Sequence, residues 1–301
     1  MVTKPKGALP VASLALATIA LPLFAGCLGF GSAVSIGTQP QNHSVSVRTR
    51  TAGPHASSVV VVIMENRDYN LIIGSSEAPY INGTLVPEAA LMTNSHAITH
   101  PSQPNYLALF SGSTQGIADD SCPHTFGTAN AGEELITAGE TFDGYSESMP
   151  YNGYTGCSSG EYARKHNPWV NFSNVPSTSN LVYNGFPEPP STLTIVVPNL
   201  CNDMHDCSTQ TGDTWLKNNV PPILKYDKKH NGLFILTWDE ADPDSNGKNQ
   251  IATLLIGPMI KPGKYDQAVT HYSTLRTIED IAGIPCTAGA CKASALKKMW
   301  R

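Results

Sequence analysis

Four short runs of the chain are apolar almost without a break: SVVVVIM (58–64), STLTIVV (191–197), GLFILTW (232–238) and IATLLIG (251–257). A strand with one wet face alternates apolar and polar residues. These runs do not, so they fit strands covered on both faces, as in a mostly parallel sheet flanked by helices. Helix-length segments separate or follow them: PNYLALFSG (104–112), GEELITAG (132–139), GDTWLKNNVPPILKYDKKH (212–230) and YSTLRTIEDIAG (272–283). The alternation predicts an α/β fold, a three-layer α/β/α sandwich with a mostly parallel central sheet. No internal repeat and no proline-rich linker divides residues 56–301, which are expected to form one domain.

Ahead of that domain the pattern changes twice. Lys4 and Lys6 precede the run VASLALATIALPLFAG (11–26), which ends at Cys27. Residues 1–27 therefore read as a signal peptide. Ala25 and Gly26 before Cys27 resemble a lipobox, although Phe24 stands where leucine is usual. Lipidation of Cys27, which gives a membrane tether, and ordinary cleavage nearby both remain open. A retained span is disfavoured, because the strongly apolar part is shorter than the roughly 20 residues a crossing needs. Residues 28–55 are rich in Gly, Ser, Thr, Gln and Asn without periodicity and read as a flexible tether. Either outcome places the folded part outside the cytoplasm, as a secreted protein or a cell-envelope lipoprotein.

Charge and cysteines narrow the class further. The formal net charge is −5 and no basic run stands out, so nucleic acid is not an expected partner. Beyond Cys27 the chain carries Cys122, Cys157, Cys201, Cys207, Cys286 and Cys291, an even number that suits disulfides in an oxidising compartment. No C-x-x-C pair suggests thiolate zinc ligation. Proximity in sequence favours Cys201 with Cys207 and Cys286 with Cys291, leaving Cys122 with Cys157, among the many pairings six cysteines permit. Oligomeric state is not legible.

In open α/β sheets, ligands gather beyond the carboxyl ends of the strands. Glu65, Asn66 and Arg67 follow the first run, Asp239 and Glu240 follow GLFILTW, and Asn202, Asp203, His205 and Asp206 follow the STLTIVV segment. Any one of these clusters has a plain explanation, since loops are polar. Three together, with an Asp-Glu pair directly after a tryptophan, point to a hard or borderline divalent cation held by carboxylates and an amide oxygen.

The segment ITHPSQPNYLALFSG (98–112) adds a hydroxyl. Pro104 suits the first turn of a helix, which puts Ser102 at or just before the cap. One reading is a capping serine. The other rests on the free N–H groups and the dipole of a helix N-terminus, which favour a phosphate. A serine there, beside a cation, is placed to lose its proton and attack phosphorus.

ENR (65–67), THPSQPNY (99–106), YARKHNPWVNFSN (162–174), NDMHD (202–206), TWDEAD (237–242) and HYSTLRTIEDIAG (271–283) occur in this order. Together they resemble the bacterial phosphoesterase family of acid phosphatases and phosphatidylcholine-type phospholipases C, in the alkaline phosphatase superfamily. The likeness runs from about Ser57 to the end and is strongest to acid phosphatases of the secreted mycobacterial type. It implies an alkaline phosphatase-like fold and hydrolysis of phosphomonoesters through a phosphoserine intermediate, with small phosphate esters or phosphoinositides as substrates.

Carried over by position, the resemblance makes Ser102 the nucleophile and Asn105 an amide on a phosphate oxygen. Glu65, Asn66, Asp239 and Glu240, completed by Ser102, become the ligands of one cation, with Mg²⁺, Ca²⁺ and Zn²⁺ not distinguished. His205 and His271 become contacts to the phosphoryl group where two-metal relatives hold a second cation. A protonated imidazole supplies positive charge there, below a pH of about 6.5.

Other positions keep two readings. Lys165 and His166 fall in a motif and either reach the phosphate or form a solvated basic turn. His100 tunes Ser102 or orients its loop, and Asp203 orients His205 or approaches the metal. Arg67 and Asp68 read as a mutual or solvated pair. The rival functions are a phospholipase C-type phosphodiesterase with the same nucleophile and metal, and a non-catalytic envelope lipoprotein that binds phosphorylated ligands.

Overall fold

A computed structural model describes residues 55–243 and 248–301. The expected signal peptide, Cys27, and all but the last residue of the expected tether lie outside the described residues. The strands, in chain order, are β1 (Val59–Met64), β2 (Ala90–His96), β3 (Phe142–Ser146), β4 (Ser158–Ser159), β5 (Tyr162–Ala163), β6 (Asn180–Val182), β7 (Leu193–Val197), β8 (Leu233–Trp238), β9 (Gln250–Ile256), β10 (Gly263–Tyr265) and β11 (Val269–Thr270). The α-helices are α1 (Tyr69–Ile72), α2 (Val86–Glu88), α3 (Ser102–Ser111), α4 (Ala131–Thr137), α5 (Thr209–His230) and α6 (His271–Ala282).

All four apolar runs are strands, and three of them, β7, β1 and β8, lie side by side and parallel at the centre of the sheet. The sheet order is β10-β2-β9-β8-β1-β7-β3-β6, with β11 also on β2, while β4 and β5 form a separate hairpin. β9 pairs antiparallel with both β8 and β2, and every other pairing in the large sheet is parallel. β9 thus runs against its eight companions, and their carboxyl ends share one edge.

Alternation along β1 explains the layers, because successive side chains point to opposite faces. Val59, Val61 and Ile63 pack into a core with Leu107 and Phe110 of α3, Leu135 of α4 and Leu275 and Ile278 of α6. Val60, Val62 and Met64 pack into a second core with Trp215, Leu216, Val220 and Ile223, one face of α5. With both faces buried, β1 has no place for the polar residues an exposed strand would show. The three-layer expectation holds.

Gly144 in β3 marks a close approach. A Cβ there would stand 2.2 Å from Cε2 of Trp169. That ring is fixed by its Nε1–H donating to Asn180 Oδ1 at 2.8 Å. Gly144→Ala is therefore expected to destabilise the fold by about 1–3 kcal/mol through overpacking. It should read as a lower urea midpoint with an unchanged slope.

The three expected disulfides are present: Cys122–Cys157, Cys201–Cys207 and Cys286–Cys291. They place the folded chain in an oxidising, extracytoplasmic setting. No helix among the described residues is long and apolar enough to cross a membrane. A cavity of about 510 Å³ lined by Leu224, Asp227, Ile256 and Arg301 lies near the opposite edge of the sheet, where β9 ends. None of the strand-end carboxylates lines it.

Candidate active site

Because β1, β2, β7 and β8 are parallel, the residues that follow them meet at one edge. Glu65 and Asn66 leave β1, Asp239 and Glu240 leave β8, Asp203 and His205 follow β7, and Ser102 begins α3 after β2. Glu65, Asp203, Asp239, Glu240 and Ser102 are each at most 1% exposed.

Ser102 is the first helical residue, Pro101 takes the cap position, and no side chain caps this helix. The Ser102 hydroxyl points instead into the acidic cluster, 3.0 Å from Glu65 Oε2 and 3.3 Å from Glu240 Oε1. The capping reading of the sequence does not describe it.

Asn66 has a left-handed backbone (φ 46°), and its N–H donates to Asp239 Oδ1 at 3.2 Å. One end of its amide lies 3.2 Å from Glu65 Oε2 and 3.0 Å from Glu240 Oε1. With the amide nitrogen there, both contacts are hydrogen bonds. With the amide oxygen there, three oxygens converge with no proton between them, an arrangement that needs a cation.

Glu65 turns its other oxygen to a second group. His166 Nε2 lies 3.1 Å from Glu65 Oε1, and its Nδ1 lies 3.4 Å from Asp203 Oδ2. The imidazole stacks on Tyr106 at 5.1 Å between ring centroids. Burial, with Lys165 and His205 adding to it, holds the His166 pKa well below the usual value, so the ring is neutral. His166 is therefore neither a solvated basic residue nor a charged phosphate contact. It is shut inside the protein between two carboxylates. Ligand atoms of Glu65, His166 and His205 lie within 4.8 Å of one another, close enough to hold a metal ion.

Lys165 and His205 are more open. Lys165 Nζ donates to Asp120 Oδ2 at 2.9 Å and approaches His205 Nε2 at 3.4 Å. His205 Nδ1 lies 2.6 Å from Asp206 Oδ1, and Asp203 Oδ1 accepts from the His205 backbone N–H at 2.7 Å. Asp203 thus orients His205 through its backbone. Arg67 does not pair with Asp68 as the sequence suggested. Its guanidinium donates to Asn66 O at 2.8 Å and Cys207 O at 2.7 Å, tying β1 to the loop that the Cys201–Cys207 disulfide closes around His205.

Two expected phosphate contacts are otherwise engaged. Asn105 Oδ1 accepts from Ile98 N and Thr99 N, both at 3.0 Å. Its Nδ2 donates to Thr99 O at 2.8 Å and Pro101 O at 3.2 Å, so its amide shapes the turn ahead of Ser102. His271 is buried at the start of α6, and its Nε2–H donates to Asp239 O at 2.5 Å. Burial lowers its pKa to about 4, so the positive charge expected there is absent. What remains for a ligand is the Nδ1 lone pair. His100 Nδ1 lies 2.6 Å from Glu240 Oε2 and so orients a carboxylate of the cluster.

The electrostatics point one way. Burial first, then neighbouring carboxylates, raises the Glu65 and Glu240 pKa values, Glu65 well above its usual range and Glu240 to about 9. Burial also raises Asp203 well above its usual value and Asp239 to about 7. Asp239 Oδ2 is buried without a hydrogen-bond partner, and Glu65 Oε1 and Asp203 Oδ2 face the His166 ring without forming a well-aligned hydrogen bond. Buried carboxylates in this state are costly unless a proton or a cation takes them up. The residues fit a divalent cation: Glu65, Asn66, Ser102, Asp239 and Glu240 offer an oxygen set, and His166 and His205 offer imidazoles beside it.

Sequence reasoning did not single out Tyr106, Gln103 or Asp120 as part of this region. The only available signal for Asp120 was the expected Cys122–Cys157 bridge, which ties its loop to the segment leading to Lys165.

Comparison with known proteins identifies relatives of the chain. A model of the Phosphoesterase family matches residues 76–285, a span that begins after Glu65 and Asn66. The chain is 44% identical over 256 residues to a phosphatidylinositol-3-phosphatase of Mycobacterium tuberculosis, covering 83% of this chain and 85% of that protein. It is 31% identical over 244 residues to a probable acid phosphatase of Kluyveromyces lactis, covering 73% of this chain and 56% of the yeast protein, so it spans little more than half of that relative. A solved protein of the alkaline phosphatase superfamily from Vibrio parahaemolyticus superposes with a TM-score of 0.56 at 12% identity, over 80% of this chain and 71% of that one. A phosphonate monoester hydrolase from Silicibacter pomeroyi gives 0.54 at 12% identity, over 80% and 76%. These two likenesses support the alkaline phosphatase-like fold. On the extent of the family match and the identity to its relatives, the chain belongs to the Phosphoesterase family.

Proposed function

We propose that the chain is an extracytoplasmic phosphomonoesterase in which Ser102 is the nucleophile and one divalent cation is held by Glu65, Asn66, Asp239 and Glu240. The observation that carries this is a helix-start hydroxyl directed at buried, under-partnered carboxylates instead of at its own helix. When bound, the cation supplies positive charge beside the hydroxyl and the phosphoryl oxygens.

The chain's own residues do the rest. Glu65 and Glu240 hold the Ser102 proton and orient the oxygen. The Ser102 proton passes to one of these carboxylates as a bond forms from Ser102 Oγ to phosphorus and the bond to the departing alcohol breaks, and the alcohol takes a proton from a histidine, for which the part-open His205 is the candidate. Water then attacks phosphorus and the Ser102–phosphorus bond breaks, returning the hydroxyl. Lys165, part-open on this side of the site, is the side-chain cation for phosphoryl charge.

The substrate proposal is a phosphoinositide headgroup, resting on identity to the mycobacterial relative named for that activity. A lipid on Cys27 would keep the enzyme near such substrates. Hydrolysis of p-nitrophenyl phosphate against bis-p-nitrophenyl phosphate, with and without chelator, tests the reading. The expected result is chelator-sensitive monoester turnover exceeding diester turnover by at least about tenfold, restored by adding back Mg²⁺, Ca²⁺ or Zn²⁺. Preferred diester cleavage would install the phospholipase C-type alternative, and binding without turnover would install the lipoprotein that only binds.

A further inference from the structure

Asp120 is the least expected group near the nucleophile, because a carboxylate repels a phosphate ester. Both of its oxygens are engaged. Oδ1 accepts the backbone N–H of Gln103, the residue next to Ser102, at 3.0 Å, and Oδ2 accepts from Lys165 Nζ at 2.9 Å. Lys165 Nζ in turn stands 3.4 Å from His205 Nε2. One carboxylate therefore links the helix that carries the nucleophile to the ammonium and the imidazole that border the same site.

The loop around Asp120 is built to hold it still. The buried Gln103 side chain donates to Ser121 O at 2.7 Å and Asp119 O at 3.3 Å, gripping the residues on both sides of Asp120. Cys122 is bonded to Cys157, and Arg164 donates to His124 O at 2.9 Å and Thr155 O at 2.6 Å. Arg164 directly precedes Lys165. The two partners of the ion pair thus sit on segments fastened to each other by a covalent bond and by guanidinium hydrogen bonds, unlike a casual surface pair. Lys165 and Asp120 keep 21% and 30% of their side-chain surface, so a ligand can still reach them.

Resting on the reading of Ser102 as nucleophile, we propose that Asp120 is a positioning residue that fixes the Lys165 ammonium beside His205 at the N-terminus of α3, where it binds the phosphoryl oxygens. The physical need is clear. Lysine has a long stem and a compact charge, and it precedes a histidine enclosed between Glu65 and Asp203. Without a tether its ammonium is free to swing toward the buried carboxylates and away from the substrate side. Asp120 holds it on that side, ready for a ligand.

The test measures kcat and KM for p-nitrophenyl phosphate and the inhibition constant of inorganic phosphate. The proteins are wild type, Asp120→Asn, Asp120→Glu, Lys165→Ala and the double variant Asp120→Asn with Lys165→Ala, each first checked for an unchanged melting temperature. Asp120→Asn retains an acceptor for the Gln103 N–H and loses the charge that holds Lys165. The expected result is a roughly tenfold rise in the phosphate inhibition constant and in KM, a smaller fall in kcat, and partial recovery in Asp120→Glu. In the double variant the Asp120 effect should vanish, because the ammonium it holds is gone and the Gln103 N–H keeps an acceptor.

Unchanged phosphate inhibition in Asp120→Asn, tighter inhibition, or effects that add independently to those of Lys165→Ala would each overturn the proposal. An Asp120→Asn protein that fails to fold transfers the decision to Lys165→Ala, which must then weaken phosphate inhibition by a similar factor. A wild-type protein without phosphatase turnover would sink the functional reading itself, a result distinct from all of these.

Discussion

Ser102→Ala is expected to abolish phosphomonoester turnover, lowering kcat by a factor on the order of 10⁴ or more while the protein stays folded. The loss should be this large because nothing else in the site replaces the hydroxyl. Thr99 has an oxygen, but its side chain donates to His100 O at 3.1 Å and it stands three residues ahead of the helix start. The fold should survive because Ser102 contributes no cap to α3, and removing its hydroxyl leaves the Gln103 and Asn105 bonds that shape the turn. Acid-quenching the wild type during turnover of a radiolabelled phosphomonoester should trap label on Ser102, with none on the alanine variant. Label on another residue, or turnover within tenfold of wild type, would remove Ser102 from the mechanism.

Chelation should produce the second large effect, and its size should depend on pH. In the metal-free chain burial raises Asp239 from 3.8 to about 7, and burial with repulsion from Asp239 raises Glu240 from 4.5 to about 9. From about pH 4 upward the unfolded chain has lost these protons while the folded chain keeps them. The folded state therefore binds more protons, and stability falls as pH rises through the folded values. A cation balances the same carboxylates and removes that loss.

The melting temperature with and without chelator should be nearly equal near pH 4.5 and separate by several degrees by pH 8 to 9. Each kcal/mol shifts it by about 2–4 °C in a domain of this size. Asp227 and Glu279, also raised to about 7 by burial, drop out of the comparison because they lie in both samples. A gap that is constant with pH, or none at all, would show that the cluster needs no cation. Activity should disappear on chelation across the same range.

Much of the fold was written in the chain. Both-face burial leaves an uninterrupted apolar run, so β1, β7, β8 and β9 were legible, as was the apolar face of α5. The strand ALMTNSH was not, because β2 mixes four polar residues into its pairing with β9 and β10. Disulfide pairing was legible because two of the bridges join cysteines only six and five residues apart.

The site divides in the same way. Acidic residues directly after buried strands announce themselves, and the structure brings Glu65, Asn66, Asp239 and Glu240 around Ser102. What sequence could not give is the use of side chains across long separations. Nothing in ARKHNPW distinguishes an enclosed His166 from a wet one, because its carboxylate neighbours lie on other strands. Asn105 and His271 were read as ligand contacts, yet both bond to backbone carbonyls or N–H groups whose positions only the folded chain fixes. The same holds for Arg67, whose two acceptors are carbonyls 140 residues apart or next in line.

The Cys201–Cys207 bridge closes a covalent ring around His205, and Arg67 fastens that ring to the end of β1. With its thiols reduced the ring is open, and non-covalent contacts alone hold the loop that carries His205. Reducing conditions are therefore expected to loosen this loop, and oxidising ones to close it.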